Sequence, residues 1–161
     1  RNEVIDELLK NSNFSVIKGN LSEILSIAKV SSNTKGVDVS EKDTHISIEE
    51  IVNIALSLAK EQKCIIAITG KEDIIADSKR AYIIRNGCSF MSKITGTGCM
   101  SASIIGSFIG ANDDDLISTI IAISSMGIAG ELAYEKTKDL GSGSFRTALI
   151  DKLSKMDENT F

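Results

Sequence analysis

Proline and tryptophan are absent from the 161 residues, and histidine occurs once. With Ile, Lys, Ser and Asn plentiful, those two absences read as compositional bias of the source rather than as mechanism. The three cysteines, Cys64, Cys88 and Cys99, form no Cys-x-x-Cys pair, and with a single histidine they argue against a structural zinc site. An odd cysteine count with no secretory signal suits a reducing cytoplasm. No apolar run reaches the ~18–20 residues of a membrane span, and no basic-then-apolar segment opens the sequence. The longest apolar stretch, Leu116 to Ala133, is broken by Ser, Thr and Gly and reads as a buried helix. A basic excess is missing too: the formal net charge of −4 argues against a general nucleic-acid binder. An anionic ligand would need local positive donors, either helix N-termini or single Lys and Arg side chains.

What is present is ordinary for a globular chain, with 42% hydrophobic and 25% charged residues in a length that suits one domain with a substantial core. The sequence is organised around Ile94-Thr95-Gly96-Thr97-Gly98-Cys99. Two glycines spaced by one residue let the backbone turn sharply and approach a ligand closely. Met100, Ile104, Ile105, Phe108 and Ile109 then recur at helical spacing, predicting a helix from Gly98 to about Ala111. A Gly-rich turn that opens a helix aims backbone N–H groups and the positive dipole end at one point, which suits a phosphate or the charge developing during its transfer. Cys99 stands at the mouth of this turn, where a thiol could act on a substrate proton. The same pattern also serves as a plain strand-to-helix turn, and a solitary cysteine often serves as a small buried hydrophobe.

Along the chain, Val4–Leu9 predicts a short helix and Phe14–Ile17 a strand ending in Lys18-Gly19-Asn20. Leu21–Lys29 predicts a helix with Leu21, Ile24, Leu25 and Ala28 on one face, and places Glu23 in its first turn, where it complements the dipole. Val30–His45 is polar and reads as a surface loop, with His45 solvated at its end. Ser47 and Glu50 fit a capping box that starts a helix over about Ile48–Gln62. Cys64–Ile68, apolar on both faces, predicts the central strand of a parallel sheet. Short strands follow at Ile74–Ala76 and Ala81–Ile84, joined by a turn around Asp77-Ser78-Lys79, and Asn86-Gly87 turns the chain again. Asp113 or Asp114 can cap a long helix to about Lys136. Gly127 and Gly130 within it permit close packing or a nearby ligand, with packing the favoured use. Gly141–Ser144 reads as a loop, and Phe145–Met156 predicts a final helix.

Several stretches taken together resemble the hydroxyethylthiazole kinase family. They are Val16–Asn20 with Ser22-Glu23-Ile24, Thr34–Asp38, Ala67–Gly70 with Asp73, Thr95–Met100, Gly130–Ala133 and Gly141–Phe145, and they run through the whole chain in order. The resemblance implies an α/β, ribokinase-like, three-layer αβα sandwich with a mostly parallel central sheet, formed by residues 1–161 as a single domain. It implies transfer of phosphate from Mg-ATP to the alcohol of 4-methyl-5-(2-hydroxyethyl)thiazole in thiamine salvage. By that resemblance Cys99 matches the family's catalytic residue, and the turn Gly96 to Gly98, with Thr97, matches its anion hole. Gly96 also matches a position that touches the thiazole in the family. Lys18 and Thr69 match ATP-binding positions, the first commonly Arg in the family, and Lys offers one compact charge where Arg offers a planar fork. Glu23 matches a carboxylate associated with Mg²⁺, and Cys88 stands where a His is common.

The resemblance further implies cytoplasmic homotrimers with thiazole sites between subunits, and no nucleic-acid or membrane partner. It also implies roughly a hundred further residues ahead of Arg1, so the chain reads as an N-terminally incomplete kinase, expected to be inactive alone. Two other readings stand beside this one. One is another ribokinase-like small-alcohol kinase, which would favour Asp at the position of Cys99. The other is a catalytically silent nucleotide-binding or assembly module, which Lys18 favours.

Overall fold

The computed structural model describes residues 2–31 and 46–157. Arg1, His45 and the Thr34–Asp38 stretch lie outside the described residues. The chain divides into two compact units, Arg1–Ile83 and Ile84–Phe161.

In the first unit, helix α1 (Asn2–Asn11) precedes strand β1 (Val16–Asn20), helix α2 (Leu21–Ser31), helix α3 (Ile48–Gln62) and strands β2 (Ile65–Thr69), β3 (Asp73–Ala76) and β4 (Ala81–Ile84). The sheet order is β1-β2-β3-β4. β1 pairs parallel to β2 from Val16↔Ile65 to Asn20↔Thr69. That ladder starts at Val16 rather than Phe14 and includes the Lys18-Gly19-Asn20 end of the β-prone run. β2 pairs antiparallel to β3, so the described sheet is mixed. The reason is length: the three residues Gly70-Lys71-Glu72 between β2 and β3 are far too few for a parallel crossover. The helices between β1 and β2 supply the longer return that a parallel pair needs.

Side chains alternate across a strand, so each register row belongs to one face of the sheet. Ile17, Ile66, Ile68, Ile74 and Ala76 form one face and pack with Ile24, Ala55, Leu58 and Ala59 from α2 and α3 into a single apolar cluster. Lys18, Ala67 and Ile75 share the opposite face with Thr69 and Asp73. As expected, Ser47 and Glu50 form a complete capping box at the start of α3. The Ser47 N–H donates to Glu50 Oε2 at 2.7 Å, and the Glu50 N–H donates to Ser47 Oγ at 3.2 Å. The Ser47 N–H, followed by its hydroxyl, holds the Glu50 carboxyl below its usual range.

The second unit contains a 3-10 turn (Ser89–Lys93) and helices α4 (Thr97–Ala111), α5 (Asp115–Thr137) and α6 (Ser142–Ser154). Asp114, rather than Asp113, caps α5, its Oδ1 accepting the Ile117 N–H at 2.9 Å. The residues Ser142–Ser144, expected in a loop, form the first turn of α6, which ends at Ser154 rather than Met156. Gly141 takes extended backbone angles as the cap, and the Phe145 N–H closes the turn on Gly141 O at 3.2 Å. Burial of Phe145, Ala148 and Leu149 against Met126, Ala129 and Ala133 of α5 decides the matter over local composition. Phe90 stacks edge-on against Phe145, with ring centroids 5.0 Å apart.

Contrary to the reading of its interrupted run, α5 is long and apolar enough by length and mean hydropathy (1.7) to cross a membrane. Small Ser, Thr and Gly residues lower the average less than they break the run. In this structure 61% of its apolar window is buried inside the protein, as in a core helix.

Phe145 is fully buried in the α5–α6 core. Phe145→Ala is expected to lower stability by about 3–5 kcal/mol, measured by urea unfolding followed by circular dichroism. A loss below 1 kcal/mol would show that the cluster does not hold the second unit together.

Candidate active site

In the first unit, the candidate residues gather at the carboxyl ends of the parallel strands β1 and β2, where α/β sheets hold ligands. Asn20 ends β1 and caps α2 with its side chain. Its Oδ1 accepts the Glu23 N–H at 2.9 Å and the Ser22 hydroxyl at 2.8 Å. Glu23 returns the interaction, its Oε2 accepting the Asn20 N–H at 2.8 Å. This is a capping box with Asn in place of Ser, so Glu23 is held in one orientation by the helix it begins. Gly19 makes room for it: a Cβ there would lie 3.0 Å from Glu23 Cβ and 3.1 Å from its Oε2. The spacing Asn20-x-x-Glu23 was a legible signal for this box.

Thr69 ends β2 directly beside Asn20 in register, and its hydroxyl donates to Gly19 O at 3.4 Å. Next to it, the Gly70 N–H donates to Asp73 Oδ1 at 2.9 Å. Burial raises the Asp73 carboxyl above its usual range, against the pull of the Gly70 N–H and the Lys18 charge. The fold therefore brings Thr69 and Glu23 to one end of the β1–β2 pair, leaves Lys18 midway along β1 opposite Ala67, and adds Asn20 and Asp73, to which the sequence pattern assigns no role. Cys64, at the other end of β2, is buried, with its thiol pushed up to about 11 by that burial despite a backbone hydrogen bond from Ile17. It is not a nucleophile at neutral pH.

Among the described residues, no group of three or more His, Cys, Asp or Glu side chains could hold a metal ion. Mg²⁺ commonly takes only one or two carboxylates and completes its octahedron with water and substrate phosphates. Glu23 alone fits that demand: one of its oxygens accepts the Asn20 N–H, and a carboxylate has a second hard oxygen to offer.

In the second unit, Gly96 is the N-cap of α4 with φ 100° and ψ −4°, a left-handed conformation that glycine adopts without penalty. It brings no side chain to the cap, and the first helical bond runs from the Met100 N–H to Gly96 O at 2.9 Å. Thr97, Gly98 and Cys99 form the first turn, where backbone N–H groups point out along the axis. Gly98 lies, as expected, in the helix, which starts one residue earlier at Thr97, and the positive φ among these residues belongs to Gly96. Cys99 is an exposed free thiol. It is therefore not the small buried hydrophobe that a solitary cysteine often is.

These features define an α/β protein with polar side chains at the ends of parallel strands and a glycine-opened helix beside an exposed thiol. The chain belongs to the hydroxyethylthiazole kinase family, whose model matches residues 1–159. It is 48% identical over 159 residues to a hydroxyethylthiazole kinase of Clostridium botulinum (strain Eklund 17B / Type B), covering 99% of this chain and 57% of that protein. It is 45% identical over 161 residues to one of Clostridium tetani (strain Massachusetts / E88), covering 100% of this chain and 59% of the relative. The chain thus spans under three fifths of the length of these curated relatives. A solved structure of a hydroxyethylthiazole kinase protein from Pyrococcus horikoshii OT3 superposes with a TM-score of 0.82 at 31% identity, over 99% of this chain and 56% of that one.

Two outcomes follow from this geometry. A Cβ on Gly96 would meet nothing within 4 Å, so Gly96→Ala strains only the backbone. It is expected to destabilise by roughly 1–2 kcal/mol, read from thermal melts. An unchanged melting temperature would mean that the turn relaxes out of the left-handed region. For Asp73, the folded carboxyl binds its proton more tightly than the unfolded one. Its contribution to stability is therefore full below the unfolded value of about 3.9 and lost as pH rises through the raised folded value. Asp73→Asn keeps an oxygen for the Gly70 N–H and removes the buried charge. It should melt higher than wild type at pH 7, the difference closing as pH approaches about 4; a lower melting temperature at pH 7 would contradict this.

Proposed function

We propose that this chain carries the nucleotide-binding and phosphoryl-transfer part of an ATP-dependent kinase acting on the alcohol of 4-methyl-5-(2-hydroxyethyl)thiazole. The observation that carries the reading is the left-handed Gly96 at the head of α4 with the exposed Cys99 in the first turn, in a chain of this family. In-line attack of an alcohol on a γ-phosphoryl group spreads charge over the equatorial oxygens, so positioning and electrostatic stabilisation do most of the catalytic work. Backbone N–H groups at a helix N-terminus meet that charge without having to reorganise. Thr97, Gly98 and Cys99 supply them here, and Gly96 leaves the approach open because it adds no side chain.

Cys99 accepts or guides the proton of the attacking alcohol. A thiolate is a modest base for an alcohol, so its larger part is to orient the hydroxyl for attack. Lys18, midway along β1, and Thr69, at the carboxyl end of β2, bind ATP. Lys18 supplies a point charge rather than a fork, so it neutralises phosphate without bidentate geometry. Glu23, oriented by the Asn20 box, is the residue that would hold Mg²⁺, which when bound neutralises polyphosphate charge. The working assembly is a cytoplasmic homotrimer in which the 161 residues act within a single ribokinase-like domain.

The test is thiazole-alcohol-dependent ADP release by the protein that contains this chain. Cys99→Ala is expected to reduce turnover on the order of 10²-fold, whereas Cys99→Asp should keep or raise it, since a carboxylate is a stronger acceptor. Equal turnover in wild type and Cys99→Ala at saturating substrate would remove Cys99 from the mechanism. Absence of any thiazole-dependent ADP release from the wild type would overturn the reading as a whole.

A further inference from the structure

Upstream of the Gly96 turn, three consecutive residues are tied to one face of α5. The Asn86 side-chain amide donates to Ser124 O at 2.8 Å, the Gly87 N–H donates to Glu131 Oε1 at 2.6 Å, and Cys88 Sγ donates to Gly130 O at 3.4 Å. Ser124, Gly127, Gly130 and Glu131 recur at three- and four-residue steps, so they form one stripe on the helix. That stripe is notched. A Cβ on Gly127 would collide with the Asn86 side chain, and one on Gly130 would come within 2.6 Å of Met91 Sδ. Gly87 itself has φ 119°, and its Cβ would lie 3.7 Å from Gly127 Cα. With ordinary side chains at Gly127 and Gly130, the Asn86 and Met91 side chains would have to shift from α5.

From this anchor the chain runs through the 3-10 turn Ser89–Lys93 to Gly96. Met91 and Ile94 on the way, and Met100 just beyond the turn, pack against the α5–α6 core. We propose that Glu131 is a positioning residue for the Gly96–Cys99 turn: its carboxylate clamps Gly87 onto the glycine notch of α5 and so fixes where the head of α4 points. This rests on the reading that the turn faces the transferring phosphoryl group. The bond joins a backbone N–H to a carboxylate, a charge-assisted pairing stronger than its neutral counterpart. Glu131 is exposed, so removing it leaves no cavity and the helix persists. Donors at a transition state must be held to within about 0.5 Å, and a displacement of about 1 Å can cost as much as 10²-fold in rate.

The experiment compares Glu131→Ala and Glu131→Gln with wild type in the full-length protein. It measures turnover with ATP and thiazole alcohol, melting temperature, and amide hydrogen exchange of the peptide spanning Ile94–Met100. For Glu131→Ala we expect kcat to fall at least about tenfold, with the KM for ATP nearly unchanged and with faster exchange over Ile94–Met100. Glu131→Gln keeps an acceptor oxygen for the Gly87 N–H without the charge, and should restore part of both rate and protection, falling between alanine and wild type. Unchanged exchange in Glu131→Ala would overturn the proposal, as would a glutamine variant that behaves like alanine, because charge rather than the clamp would then be at work. A wild type with no turnover would count against the proposed function alone, and the exchange comparison would still decide the clamp.

Discussion

Every α-helix begins with backbone N–H groups that have no partner within the helix, and the way each is satisfied organises this protein. Three of the described helices use side chains. Asn20 and Glu23 close α2, Ser47 and Glu50 close α3, and Asp114 closes α5. Helices α4 and α6 begin at glycines that bring no side chain to the cap. The two glycines differ in conformation: Gly141 is extended, whereas Gly96 is left-handed. At Gly96 the absence of a capping side chain coincides with an exposed thiol in the first turn, and that coincidence gives the head of α4 its chemical character.

The same constraint explains why a capping carboxylate can be a ligand candidate. Glu23 is oriented by the N–H of Asn20, and Gly19 exists in a form compatible with that approach because a Cβ would press on the carboxylate. The box makes the side chain rigid at little entropic expense, since the helix needs the cap in any case. Rigidity at the end of β1 extends to Thr69 through its hydrogen bond to Gly19 O, and to Asp73 through the tight Gly70 turn. Beside an apolar sheet, Glu23 and Asp73 each have one carboxylate oxygen held by a backbone N–H.

Much of this was legible in the sequence, and the clearest signals were local ones. The Ser47-x-x-Glu50 box, the apolar run of β2 and the Gly-x-Gly opening of α4 all stand where the pattern put them. The family resemblance agrees with the matched family model over residues 1–159. Sequence reading failed where tertiary contacts outweighed local composition. Gly141–Ser144 looked like a loop because its residues are poor helix formers, yet burial of Phe145 and Leu149 draws the helix back to Ser142. Phe14–Ile17 looked like the strand because it is the β-prone run, yet pairing with β2 moves the strand towards Asn20.

The sequence by itself determined the local elements and the family, because helix caps, strand alternation and glycine turns depend on residues only a few positions apart. Tertiary structure alone decided three further things. It chose Gly96 over Gly98 as the left-handed residue, since a dihedral depends on how the incoming segment is held. It set Asp73 close enough to Lys18 to feel its charge, across the three strands of a mixed sheet. And it joined Gly87 to Glu131, 44 residues away, through a notch whose glycines in the sequence look like any other small residues on a helix. Contacts between distant positions carry no periodicity, so only the folded chain could reveal them.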